Sequence, residues 1–339
     1  MAGENRRARA VAFACTVVVT VCAIGAPTAA AYPNPGRVAG YTVVHDPAML
    51  IKPATGDAPR YTVFGTHNTA AFSNDRIAFS SAGKFFPVIP AWWKTVRADE
   101  DVWAPDISFH NGKYWLYYSI SSGSNHTSKI GLATSATGLP GTFTDEGPIF
   151  SSNSSTDYNA IDPNLLVDAQ GRWWMTFGSF WGGIFMFELN PATGKPAASP
   201  PTLHHLAERP RTNPGPTVAG PGIEGAFVYR KGAYYYLFAS FDRCCRGVTS
   251  NYNIRVGRST SPTGPYADAG GVSMLDGGGT KILETHGYVI GPGGQSVYGD
   301  DYFGYHDLLV YHYYHRDLNG LPFLGINFLD FSSGFPRVY

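Results

Sequence analysis

The chain has 339 residues, with 25 basic and 25 acidic side chains and a formal net charge of zero. That balance, with charged residues at only 15 %, leaves no electrostatic footprint for nucleic acid or an anionic membrane and excludes both as expected partners. Aromatics at 14 % and 40 glycines instead suit an all-β protein rich in tight turns, whose ring faces fit a neutral, polyhydroxylated partner such as a sugar, although most of the rings must fill the core.

The first element in chain order is a targeting segment. Arg6, Arg7 and Arg9 precede a short apolar run over residues 10–24, and "TAAAY" offers a small-residue cleavage site near Ala31. Residues 1–31 are therefore expected to be a secretory signal peptide, with a retained N-terminal anchor as the alternative. Residues 32–339 are then a single secreted domain. Without Arg6, Arg7, Arg9 and Glu4, its balance is 22 basic against 24 acidic residues, a net charge of −2. Cys15 and Cys22 leave with the leader. The adjacent Cys244 and Cys245 that remain cannot build a long-range framework, and a vicinal disulfide is expected over two free thiols.

Five stretches then share one pattern: a short apolar strand, a polar turn, and an aromatic strand ending in small residues. They begin "HDPAML" at His45, "WAPDISF" at Trp103, "IDPNLLV" at Ile161, "IEGAFVY" at Ile223 and "GGQSVYG" at Gly293. Each reads as a β-hairpin, and further strand-like stretches such as "SKIGLATS" follow. Aligning the turns with slight slack places Asp46, Ala104, Asp162, Glu224 and Gly294 in one slot, spaced by 58, 58, 62 and 70 residues. Strand-only units of this length bury both faces by standing side by side around an axis, so a five-bladed β-propeller is expected, with a β-sandwich as the fallback. In a propeller the first strand of each blade lines the central channel, which would bring the three acidic slots together.

A carboxylate at the mouth of a buried strand, as Glu224 is, costs free energy unless something pairs with it or uses it. A calcium site would need six to eight oxygens, often from one loop, and these acids come from separate blades. Capping of strand-start amides is the structural alternative. Glycoside hydrolysis fits better, because it needs one carboxylic acid to protonate the leaving oxygen and one carboxylate to activate water. A third acid nearby would hold the proton donor's pKa up by like-charge repulsion.

On the motifs "HDPAML", "VWAPDI", "NAIDPNLLVD", "FGSFWGGI", "GIEGAFV", "SFDRCCRGV" and "GGGTKILE", the chain resembles the endo-α-1,5-L-arabinanases of glycoside hydrolase family 43 over essentially all of residues 32–339. The resemblance implies hydrolysis of internal links in arabinan with inversion. It assigns Asp46 as general base, Glu224 as general acid and Asp162 as the residue tuning and orienting that acid. Inversion would set the Asp46 and Glu224 carboxyls about 6.5–9.5 Å apart. It further implies substrate contacts at Trp103, Gly123, Asn159, Ser179, Phe180 and Trp181, arabinan and arabino-oligosaccharides as partners, a monomer, and no required cofactor. Many members carry a histidine near a central ion where this chain has Gly294 in "GPGGQSV", so a central ion is not expected. An exo-acting arabinanase, an α-L-arabinofuranosidase, or a non-catalytic carbohydrate-binding propeller are the rival readings.

Overall fold

Each of the five repeat units folds into its own sheet, four of them four-stranded and the first five-stranded. The computed structural model describes Met1 and residues 32–52, 59–123, 125–212, 215 and 221–339. The expected signal peptide therefore lies outside the described residues. The innermost strands are Ala48–Ile51, Trp103–His110, Asn164–Val167, Ile223–Lys231 and Val289–Asp300. Each pairs antiparallel with the next strand in sequence: Tyr61–Gly65, Lys113–Ser121, Trp173–Phe177, Tyr234–Phe241 and His306–His315. The second strands read as near-continuous apolar runs ("YWLYYSI", "YYYLFASF") because both of their faces are covered.

The sheets form a five-bladed β-propeller. A sandwich would have two sheets sharing one core; here there are five cores, each between successive blades. Trp115 of the second blade meets Trp173 of the third edge to face, with ring centroids 5.1 Å apart, a geometry worth about 1 kcal/mol beyond burial. The fifth core joins Met49, Tyr61 and Val63 of the first blade to Leu308, Val310 and Ile326 of the last, closing the ring. The segment before the first blade laces that seam. Asn34 O accepts from Asn327 Nδ2 (3.0 Å), Gly36 N–H donates to Ile326 O (2.8 Å), and Thr42 O accepts from Leu324 N–H (2.9 Å). Ala39–Gly40 then runs parallel to Ala78–Gly83 and covers that blade's outer edge. No helix among the described residues is long and apolar enough to cross a membrane.

Candidate active site

One residue near the start of each inner strand has left-handed backbone geometry: Asp46 (φ 47°), Ala104 (φ 40°), Asp162 (φ 57°), Gly225 (φ 59°) and Gly294 (φ 56°). This corrects the single slot expected from the hairpin alignment. In the fourth blade the slot belongs to Gly225, and Glu224 stands one residue ahead, opposite Ser240 as Trp103 stands opposite Ser119. The offset arises at the hairpin turns, where Lys231 pairs with Tyr234 across Gly232 and Ala233 while His110 pairs with Lys113 across Asn111 and Gly112. Both blades carry the same register irregularity, between Glu224 and Phe227 and between Trp103 and Asp106. The extra residue of such a bulge re-aims the side chains beside it.

The N–H groups of the left-handed residues form a ring of hydrogen bonds to the preceding blade. Ala104 donates to Thr66 Oγ1 (2.9 Å), Asp162 to Ser119 Oγ (3.0 Å), Gly294 to Ser240 Oγ (2.9 Å) and Asp46 to His312 Nδ1 (3.1 Å). The third blade has Gly178 at the corresponding place, where a Cβ would lie 2.1 Å from Gly183 O. With no side chain there, Gly225 N–H donates instead to Asp162 Oδ2 (2.9 Å). A missing side chain thus aims Asp162 at the residue beside Glu224.

Asp46 is held as an ionised carboxylate. Its Oδ2 accepts from Thr66 Oγ1 (2.7 Å) and from His45 Nδ1 (2.7 Å). Burial pushes its pKa up, but the charge and hydrogen bond of His45, aided by Thr66, outweigh burial and bring it well below the usual carboxylate range. His45 is fixed in turn. The adjacent cysteines are joined, Cys245 N–H donates to Tyr314 Oη (2.7 Å), and Tyr314 Oη lies 2.8 Å from His45 Nε2. With Asp46 ionised, His45 Nδ1 carries a proton facing it, and the Tyr314 hydroxyl holds the far side of the ring.

Glu224 and Asp162 are pushed the other way. Glu224 Oε2 accepts from Ser179 Oγ (2.6 Å), and Oε1 from the Tyr252 hydroxyl. Burial raises the Glu224 pKa against those two hydroxyls, and the Asp46 charge adds to the rise. Asp162 is raised further, first by burial and then by the charges of Glu224 and Asp46, and has only the Gly225 amide to oppose this. The two carboxyls titrate as a pair.

His45, Asp46 and His312 present ligand atoms within 4.8 Å of one another, the arrangement a cation would require. Most of these atoms already serve each other, but His312 Nε2 is buried without a hydrogen-bond partner among the described residues. His45 Nδ1 faces Asp46, His45 Nε2 faces Tyr314, and His312 Nδ1 takes the Asp46 amide. A Cβ on Gly294 would lie 2.4 Å from Asp46 Oδ1 and 2.7 Å from His312 Nδ1. The imidazole of His312, from the neighbouring strand, fills the space a side chain at 294 would need.

The acids line a cleft of about 480 Å³ that also holds Trp103, Tyr252 and both cysteines. A second lobe of about 320 Å³ shares Trp103, Ile161, Glu224 and Cys244 with it. All six expected substrate contacts, Trp103, Gly123, Asn159, Ser179, Phe180 and Trp181, line this second lobe. Their environments differ. Trp103 donates to Asp101 Oδ2 (2.7 Å) and stacks under the Arg97 guanidinium (4.7 Å). Gly123 (φ 81°) sits beside both groups. Asn159 Oδ1 is taken by Ser128 Oγ (2.7 Å), and the Ser179 hydroxyl is committed to Glu224. Phe180 and Trp181 are successive left-handed residues, with Trp181 4.2 Å from the His126 ring. Sequence reasoning missed Thr66, Tyr252, His312 and Tyr314. Thr66 stands opposite His45 and His312 opposite Gly293, as Ser119 stands opposite Trp103 and Ser240 opposite Glu224, a signal that a second-strand alignment would have exposed.

Residues 44–325 match the family profile described as glycosyl hydrolases family 43. An extracellular endo-α-(1→5)-L-arabinanase of Bacillus subtilis is 40 % identical over 302 residues, covering 87 % of either chain. A probable arabinan endo-1,5-α-L-arabinosidase A of Aspergillus clavatus is 41 % identical over 331 residues, covering 94 % of this chain and 98 % of its own. Among solved structures, the α-L-arabinanase of Cellvibrio cellulosa complexed with arabinohexaose superposes with a TM-score of 0.80 at 37 % identity, covering 87 % of this chain and 95 % of that one.

Proposed function

The chain belongs to glycosyl hydrolase family 43, and from that premise we propose that it hydrolyses internal α-1,5-L-arabinofuranosidic bonds of arabinan with inversion at the anomeric carbon. One observation carries the reading: three carboxyls on one cleft are driven apart in acidity, Asp46 down and the Asp162–Glu224 pair up. Groups whose environments separate their pKa values in this way supply a base and an acid at the same pH.

In the proposed mechanism Asp46 accepts a proton from water as that water attacks the anomeric carbon. Glu224 gives its proton to the departing glycosidic oxygen. The carbon–oxygen bond to the leaving sugar breaks as the bond to water forms, and the net proton transfer runs from water to leaving group. The partners of Glu224 suit this cycle. Ser179 and Tyr252 are hydroxyls, which donate to the carboxylate or accept from the carboxylic acid by rotating. Asp162, tied to Gly225 N–H, shares the pair's proton and raises the cost of ionising Glu224. No step calls for an organic cofactor or a metal ion.

The names of the relatives favour endo action, and that of the Bacillus protein supports an extracellular location. Secretion by a cleaved leader over residues 1–31, and one monomeric catalytic domain over 32–339, complete the proposal. A reducing-sugar assay on debranched arabinan, with xylan and a synthetic arabinofuranoside as controls, tests it. Mixed oligosaccharides early in the reaction are expected, whereas a single product throughout would mean exo action. Proton NMR of the first product should show the inverted anomer, and retention would remove Asp46 from its role as base.

A further inference from the structure

A cavity lined by the fourth and fifth blades lies far from the acids. It occupies about 820 Å³ between the fourth and fifth blades. Glu224 is the second residue of the inner strand of the fourth blade, and Lys231, on the cavity wall, ends it. Seven residue steps of an extended strand separate them by about 20 Å. The cavity therefore opens at the other end of the blades from the catalytic cleft.

Its lining has a particular chemistry. Tyr305 is 59 % exposed, and Tyr234, Phe331 and Tyr339 add partly exposed rings. Every cation on the wall is paired. Lys231 Nζ meets Asp307 Oδ2 at 2.6 Å, and Arg337 lies 3.6 Å from Asp330 Oδ2. Lys231 also donates to the Tyr305 hydroxyl (3.0 Å), which itself donates to Asp307 (2.9 Å), so the ring is held in place rather than left to rotate. Tyr229 donates to the same carboxylate (2.6 Å). A cleft of fixed aromatic faces with polar groups between them and no net charge neither attracts an anion nor demands a cation. It suits the apolar ring faces and hydroxyls of a neutral sugar chain, as does the catalytic cleft with Trp103 and Phe180.

We infer that this cleft is a second binding site for a neutral polysaccharide chain, separate from the site of hydrolysis. The identity of that chain as arabinan rests on the function proposed above. Holding polymer at the far end would keep the enzyme on an insoluble substrate between cuts, raising the local concentration of bonds for the catalytic cleft.

The test uses the full chain. In a Glu224→Gln background, Tyr305→Ala should lower retention on insoluble arabinan about three- to tenfold, the loss of one stacking ring. Tyr305→Trp should restore it. In the otherwise wild-type chain, Tyr305→Ala should leave hydrolysis of short soluble arabino-oligosaccharides within about twofold while slowing release from the insoluble polymer by a similar three- to tenfold. Equal retention of the Glu224→Gln chain with and without the Tyr305→Ala change would overturn the inference. So would an equal loss on soluble and insoluble substrates. Failure of the wild-type chain to cut arabinan at all would instead refute the substrate assignment, so the two failures are distinct.

Discussion

Two layers of the same central channel hold buried acids, and they behave differently. At the upper layer Asp46, Asp162 and Glu224 open onto the cleft. Two residues along the inner strand of the second blade from Ala104, Asp106 is more deeply buried, and burial pushes its pKa up to about 6. Its oxygens accept from Leu165 N–H (2.8 Å) and Asn164 Nδ2 (3.3 Å), while Asn164 Oδ1 accepts from Val228 N–H (2.9 Å). Asp106 thus staples the second blade to the third, and Asn164 staples the third to the fourth. Amide donors cannot become acceptors, whereas the Ser179 and Tyr252 hydroxyls on Glu224 can. Burial raises both carboxyls, but only the one facing substrate through reversible partners is equipped to deliver a proton.

The largest effect should come from removing that proton. Glu224→Gln keeps the shape and the hydroxyl contacts and should lower kcat on arabinan by about 10³-fold or more. Asp106→Asn, more deeply buried, should leave kcat within about threefold, a surface-like effect on the chemistry. A comparable loss in both variants, measured on folded protein of matched circular dichroism, would erase the distinction between the layers.

Asp162→Asn sharpens the upper layer and should cost about 10²-fold in kcat. Asparagine keeps an oxygen for Gly225 N–H but removes the acid with which Glu224 shares a proton. A neighbouring carboxylate favours the protonated form of Glu224, so without it the acid should lose its proton at lower pH. The descending, alkaline limb of the kcat/KM profile should therefore move down, while the acid limb set by Asp46 stays where it is. An unmoved alkaline limb would mean that Asp162 orients without tuning.

The deeper layer makes its own prediction in stability. Asp106 has a folded pKa of about 6, above the ordinary 3.8. Between those values the folded protein holds a proton that the unfolded chain has released. The contribution is fully present below about pH 4 and is lost as pH rises through 6, up to about 3 kcal/mol. Urea unfolding at pH 4 and pH 7 should show the wild type losing stability relative to Asp106→Asn across that window. A difference independent of pH would mean that Asp106 is already ionised in the fold.

Much of this was legible in the sequence, for a physical reason. Second strands buried on both faces must be apolar along their length, so "YWLYYSI" and "YYYLFASF" announce the blades, and the acids at the strand starts follow from the repeat. The one-residue offset of Glu224 was not legible, because Gly112 and Gly232 align in sequence but take different places in their hairpin turns. Tyr252, His312 and Tyr314 were hidden in another way. His312 and Tyr314 sit in a strand run full of aromatic residues that pack the core, Tyr252 lies just ahead of a strand with no aromatic of its own, and only the closure of the ring brings Tyr314 beside His45, 269 residues away.

That contact gives the smallest loss expected among the residues around the acids and separates position from chemistry most finely. Tyr314→Phe keeps the buried ring and removes one hydroxyl, leaving Cys245 N–H and His45 Nε2 without the partner they share. His45 is then free to carry its proton on Nε2, in which case Nδ1 no longer donates to Asp46. The expected loss is about tenfold in kcat, or about 1.4 kcal/mol, with KM little changed. Asp46 should drift back toward the ordinary carboxylate pKa, so the acid limb of the profile should move up. A merely structural hydroxyl would lower the unfolding temperature and leave that limb in place; the position of the limb, not the size of the loss, decides whether the cysteine turn reaches the base through Tyr314.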